Sequence, residues 1–232
     1  EIISLNAQSR FAEALEKIAR LENLVAPQDK LAQQFILRAK ALAGYERDGK
    51  CCPYDYPTQR QMLMKALDMT HPNFDLGKFE RCLLSVEDVK SLNQIAITYS
   101  ETGERRFAIR IYEQLLRYTK RRLFNNEALF SVLPMLCYNY SRLLGRERRY
   151  EECIEIAQYG YDLSLKYDKA RALGGLLLNI GCSLQKLGKD EEAKKKLMES
   201  YYAFVTVKKF NSAQKVKDYM KEVFEIEFKG DI

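Results

Sequence analysis

Histidine occurs once in 232 residues and tryptophan never, which excludes a metal centre built on imidazoles. No run of 18 apolar residues exists, which excludes a transmembrane helix. Proline, at five, and glycine, at eleven, are too scarce for a collagen-like chain, a disordered chain or a β-sandwich with many tight corners. The six cysteines, Cys51, Cys52, Cys82, Cys137, Cys153 and Cys182, stand at irregular intervals without a repeated CxxC pair, so no zinc or iron–sulfur site is expected. A Walker loop, a zincin motif, a nucleophile elbow and a Rossmann glycine pattern are all missing. Acid pairs such as Glu151 and Glu155 have the i,i+4 spacing of an ordinary solvated helix face. The sequence therefore assigns no catalytic residue, no metal and no cofactor, and an enzyme is not expected.

What is present is helical periodicity. Apolar residues make up 47% of the chain and recur at three- and four-residue intervals. The spacing predicts helices at 2–8, 10–24, 29–47, 57–70, 86–102, 104–121, 126–145, 149–166, 168–187, 189–206 and 210–225. The expected fold class is all-α. At this length roughly 70% of the extended chain's surface is buried on folding, so a core forms without disulfide staples. Strand alternation persists nowhere for long, and "FEIEF" at 224–228 is its best candidate. Ser85 ahead of Glu87 and Asp88, and Asp190-Glu191-Glu192 after Gly188, place acids where first-turn amides and the helix dipole favour them.

An internal repeat organises the helices. Segments 92–112, 138–157 and 178–197 superimpose with a small residue (Ala96, Ser141, Gly181) followed twelve residues later by another (Ala108, Cys153, Ala193). Tyr112, Ala157 and Leu197 come four residues further on, along the same helical face. Gly103 and Gly188 occupy equivalent turns. The intervals Ala108–Cys153 and Cys153–Ala193 are 45 and 40 residues, longer than the ~34 of a minimal tetratricopeptide unit. A further pair spans 29–70, interrupted by "CCPYDYP", whose prolines exclude that stretch from a helix. The reading is one tetratricopeptide-like repeat domain over 1–232, with about five hairpins stacked as an α-α superhelix. A globular bundle is the competing architecture.

The chain resembles the C-terminal helical-repeat domain of peptide-responsive transcriptional regulators from low-GC Gram-positive bacteria, proteins that carry an N-terminal helix-turn-helix. The resemblance lies in "RAKAL" (38–42), "ALDMTHPNFDL" (66–76), "LLSVEDVKSLNQIAITY" (83–99), "LLGRERRYEECIEIAQYGYDL" (143–163) and "LLLNIGCSLQKLGKDEEAKKKL" (176–197). It implies a cytoplasmic ligand-sensing domain that forms a homodimer and binds a short peptide or protein segment. DNA would be reached only through the helix-turn-helix, which is missing from this chain. The opening at Glu1, without methionine, fits a piece cut from a longer polypeptide. The alternative is a constitutive interaction scaffold with no signalling ligand.

On such a superhelix the first helix of each pair lines the inner groove. Two residues before the small position stand Gln94, Asn139 and Asn179, all carboxamides able to pair with an extended peptide's backbone. The resemblance extends to groove asparagines at Asn139 and Asn179, with Gln94 a longer substitute. Asn93, Tyr138, Arg142 and Gln185 supply further contacts, Arg142 being suited to a peptide carboxylate, with Lys90 and Arg146 nearby. Against this stands a plainer role, in which the same carboxamides bond to the adjacent repeat and fix its stacking. The lone histidine, His71, precedes Pro72 and has no partner evident in the sequence. Basic runs at Arg105-Arg106, Lys120-Arg121-Arg122, Arg146 with Arg148-Arg149, and Lys194-Lys195-Lys196 fall in second helices or connections. They form either a phosphate-seeking surface or, diluted by neighbouring acids, a solvated one.

Overall fold

Eleven α-helices form among the described residues, which are 1–8, 10–122 and 127–226 of a computed structural model. They are α1 (Ile2–Ala7), α2 (Phe11–Leu24), α3 (Lys30–Ala43), α4 (Tyr56–Thr70), α5 (Val86–Glu101), α6 (Arg105–Arg122), α7 (Leu133–Arg146), α8 (Tyr150–Lys166), α9 (Leu173–Lys186), α10 (Asp190–Thr206) and α11 (Phe210–Phe224). Two short antiparallel strands, β1 (Tyr45–Arg47) and β2 (Lys50–Cys52), form a hairpin between α3 and α4. The chain divides into two compact units, Glu1–Tyr118 and Thr119–Ile232.

Three sequence expectations need correction. The helix expected over 29–47 ends at Ala43, because Gly44 has φ of +88° and stands so close to Cys52 that a Cβ there would lie 2.1 Å from its carbonyl oxygen. The chain reverses there into the hairpin, which no alternation of apolar residues announced; its first strand is fully exposed, so burial supplied no pattern to read. The strand candidate at 224–228 also fails over its described part. Phe224 completes α11 and Glu225 turns left-handed at φ of 58°, while residues 227 and 228 lie outside the described residues. Finally, α7 and α9 start later than expected, each after a 3-10 turn, at 127–131 and 170–172. Pro134 sits in the first turn of α7, where its missing N–H costs nothing. These turns supply part of the extra length of the repeat intervals.

Within the first unit, one core cluster joins Ile2, Leu5, Ala14, Ile18, Ile36, Ala39 and Ala43 from α1, α2 and α3. In the second unit another joins Leu197, Tyr201, Phe204, Ala213, Val216 and Met220 from α10 and α11. The six small repeat residues are all buried: Ala96, Ala108, Ser141 and Ala193 show no exposure and Cys153 1%. Gly181 shows why size is limiting, since a Cβ there would stand 2.7 Å from Leu197 Cγ and 3.2 Å from its backbone nitrogen. Leu197, four residues beyond Ala193, thus packs directly on the backbone of α9.

The turns repeat as well. Gly103 and Gly188 are left-handed at φ of 90° and 74°, and the turn after α7 places Arg148 at the same station with φ of 59°. In each, the next amide donates back five residues: Glu104 to Tyr99 O at 2.9 Å, Arg149 to Leu144 O at 3.0 Å, and Lys189 to Leu184 O at 3.0 Å. This closes the exposed carbonyls of the preceding helix end. Only glycine adopts that φ freely, so Arg148→Gly is expected to raise stability by several tenths of a kcal/mol. A urea midpoint that stays or falls would refute this.

Candidate functional site

Two polar constellations stand out, one in each unit. In the second unit, α7, α8 and α9 pack together and α10 packs on both α9 and α11. Asn179 on α9 donates from Nδ2 to the Tyr138 carbonyl at 3.1 Å and to Ser141 Oγ at 2.8 Å, both on α7. Ser141 Oγ itself donates to the Tyr138 carbonyl at 3.1 Å, and Cys153 Sγ on α8 donates to the Asn179 carbonyl at 3.7 Å. Further along α9, Gln185 Oε1 accepts from Tyr219 of α11 at 3.4 Å. The Tyr138 ring lies where a side chain on Gly175 would go, 2.5 Å from its ideal Cβ. A polar seam therefore links α7, α9 and α11.

Every expected site residue of this unit lies on or beside the seam. Asn139, Tyr138, Arg142, Asn179 and Gln185 are all half-buried, a state in which a polar group is shielded yet reachable. Tyr138, Asn179 and Gln185 tie one helix to the next, which is the stacking role weighed from the sequence. Gln94 and Asn93, in the first unit, are half-buried on α5, and the Asn93 carbonyl accepts from Tyr112 of α6 at 3.4 Å. Lys90 is held by Glu87 at 2.6 Å.

Sequence reasoning missed the second constellation. Asp88, 1% exposed, accepts from Gln34 Nε2 at 2.6 Å and Thr70 Oγ1 at 3.3 Å on one oxygen. Its other oxygen receives the Ser85 amide at 2.7 Å and faces His71 Nε2 at 3.0 Å. Ser85 Oγ in turn accepts the Asp88 amide at 3.1 Å, completing a capping box at the start of α5. Burial raises the Asp88 pKa, but the hydrogen bonds from His71, Ser85 and Gln34 outweigh it and hold the carboxyl below its ordinary value. Next to it, Arg38, 4% exposed on α3, pairs with Glu87 at 2.6 Å. The "THPNF" loop is thus explained: Thr70 and His71 serve Asp88, the left-handed Asn73 turns the chain, and Phe74 stacks on Phe79 with ring centroids 6.2 Å apart. The serine–acid spacing at 85–88 was the available signal; the distant partners Gln34 and His71 left none.

Both constellations brace one element of the chain against another. Among the described residues no group of three or more His, Cys, Asp or Glu is placed to hold a metal ion. Burial pushes the Cys137 thiol up to about 12 and Cys182 up to about 11, far from thiolate reactivity. Cys51, Cys52 and Cys82 are half-exposed. Under native conditions, alkylation of those three should run at least tenfold faster than that of Cys137, as read by peptide mass spectrometry. Equal rates would mean that the α7 core opens readily.

No helix among the described residues is long and apolar enough to cross a membrane. Among curated proteins none matches the chain. Among solved structures, PlcR of Bacillus thuringiensis in its apo form superimposes with a TM-score of 0.71 at 22% identity, over 93% of this chain and 74% of that one. The same protein in complex with the peptide PapR7 and DNA gives 0.70 at 22% identity, over 97% and 72%. Tetratricopeptide-like repeats of a kinesin light chain from Podosopora anserina give 0.51 at 12% identity, over 90% and 93%. These likenesses establish an all-α, tetratricopeptide-like fold. The profile of the RNPP family C-terminal domain matches residues 1–224, nearly the whole of this repeat fold, and the chain belongs to that family.

Proposed function

We propose that the chain is the peptide-sensing and dimerising domain of a cytoplasmic transcriptional regulator, and that it carries no enzymatic activity. The observation that carries this reading is the seam. Asn179 commits its amide nitrogen to α7, so its Oδ1 is the atom that remains to accept a peptide N–H. Asn139 stands at the matching place on α7, so an extended peptide laid across both helices would meet carboxamides at successive repeats, with Arg142 near its carboxylate. Family membership across both units, and the similarity to a protein solved with a peptide and DNA, support the same reading. They also support treating 1–232 as one sensor whose DNA contact is made by an attached helix-turn-helix. Six free thiols suit a reducing cytoplasm.

The mechanism is mechanical. A peptide that bridges α7 and α9 binds best to one relative setting of those helices, and it shifts the regulator only to the extent that its affinity differs between settings. Asn139→Ala should weaken binding of a short peptide ligand by about 1–3 kcal/mol, a larger loss than its loss of folding stability. Asn179→Ala should lose both binding and stability, because it also cuts the bonds to Tyr138 and Ser141. Calorimetric titration beside melting curves checks this. If Asn139→Ala loses binding only in proportion to stability, both asparagines belong to repeat stacking and the scaffold alternative stands.

A further inference from the structure

The formal charge of the chain is +6, from 38 basic and 32 acidic residues. Helix α6 holds seven of those cations and a single acid, Glu113, so its own net charge equals that of the whole chain and the remaining 31 cations and 31 acids cancel. The other basic runs are diluted locally, Arg148-Arg149 by Glu151 and Glu152 and Lys194-Lys195-Lys196 by Asp190-Glu191-Glu192. The net surplus of the chain thus equals the charge of α6, where Glu104 precedes the first arginine and Arg117 pairs with Glu80.

Its placement is regular. Arg106, Arg110, Arg117, Lys120 and Arg121 are all exposed, and at 100° per residue they fall within a stripe about 100° wide on one face of α6. The opposite faces, through Ala108, Ile111, Tyr112 and Leu115, are buried. Arg106 and Arg110 stand about 6 Å apart along the axis, and Arg106 to Arg121 spans about 22 Å. Arg110 extends over the Phe107 ring at 5.2 Å, and Arg117 is set by a bond to Glu80 at 2.8 Å, so two of the guanidiniums are held in place.

We infer that the exposed face of α6 is a docking surface for duplex DNA, contacting phosphates without reading sequence. Three observations choose this partner. Six of the seven cations are arginines, whose planar forks pair with phosphate oxygens two at a time. The stripe runs along the helix axis, and a duplex presents a line of charge to match it, one phosphate per ~1.7 Å of axis. None of the exposed large apolar residues belongs to α6, so the face lacks the side chains with which a basic helix enters a lipid interface. Choosing DNA among polyanions rests on the regulator reading above. The contact would add to that of an attached recognition domain, gaining affinity by tethering and giving α6 a share in what the peptide-driven shift controls.

The test uses the 232-residue chain and a fluorescent duplex of arbitrary sequence. Binding should weaken steeply between about 50 and 200 mM salt, with a slope of log K against log salt of about −3 to −5. Arg106→Gln combined with Arg110→Gln should weaken binding at least tenfold at the lower salt and reduce the slope by about two, with an unchanged melting curve. Lys194→Gln with Lys195→Gln, an equal loss of charge on α10, should change binding less than twofold. No duplex binding by the parent chain, or an equal loss in the α10 variant, overturns the inference. So does tighter binding of phosphatidylglycerol vesicles or polyglutamate than of duplex. Peptide titration of the α6 variant separates the two readings: intact peptide binding with no duplex binding by either chain removes only this inference.

Discussion

Asp88→Ala is expected to destabilise the first unit by about 3–5 kcal/mol. The carboxylate is the common acceptor for Gln34, Thr70 and the Ser85 amide, and it faces His71. Taking it away strips the buried Gln34 and the half-buried Ser85 amide and His71 of an acceptor at once, each costing about 1–3 kcal/mol when unsatisfied, with partial relief where a group turns to water. The lost Ser85 amide bond is itself the Asp88 half of the capping box. Asp88→Asn keeps the shape yet turns a donor toward the Ser85 amide and His71, so it should recover less than half of the loss. The same carboxyl predicts an acid limb. Its folded pKa lies below the unfolded value of about 3.9, so its contribution is complete above about pH 4 and lost as the pH falls through the folded value. Urea titration of parent and Asp88→Asn across that range should show the parent losing stability faster on acidification. Parallel curves would mean that Asp88 is not the ionised hub of the network.

Gly181→Leu is the second large expectation. A Cβ at 181 would already stand 2.7 Å from Leu197 Cγ and 3.2 Å from the Leu197 backbone nitrogen. The side chain can rotate aside; the backbone of α10 cannot move without separating the hairpin. Overpacking of this kind typically costs 1–3 kcal/mol, and the backbone contact places this site at the upper end, near 3 kcal/mol. Gly181→Ala should cost about half as much, despite alanine's higher helix propensity. The control is Gly145→Ala on α7, whose Cβ would meet Cys153 Sγ at an ordinary 3.6 Å and should be neutral or stabilising. Thermal melts of the three variants rank them, and a Gly145→Ala loss equal to that of Gly181→Leu would show that the repeat register does not set the packing.

The repeat register was legible because it is written locally. Small residues twelve apart and an apolar residue four further on require no knowledge of distant chain, and all of them are buried where the pattern placed them. Helix starts at Ser85 and Asp190 were legible for the same reason. The β-hairpin was not, since its direction is set by Gly44 against Cys52, a backbone contact without a side-chain pattern. Asp88 shows the limit more sharply. Its capping partner lies three residues away and could be read, whereas Gln34 lies 54 residues away on α3 and looks in sequence like any other polar helix residue. The repeat position singles out the carboxamides Asn139 and Asn179, but not the bonds that Asn179 makes to α7. Those bonds, which staple α9 to α7, run between residues 38 and 41 apart in the chain and leave no local pattern to read.

The central claim is that a peptide lies across α7 and α9 and is read through its main chain. Calorimetric titration of short synthetic peptides into the chain, each in parent form and with single backbone N-methyl groups, tests it most directly. N-methylation at the positions facing Asn139 and Asn179 should cost about 1–3 kcal/mol each, more than replacing the neighbouring side chains by alanine, and Asn139→Ala should abolish the N-methyl effect at one position. Binding that is indifferent to every N-methyl group, or unchanged in both asparagine variants, would contradict the account.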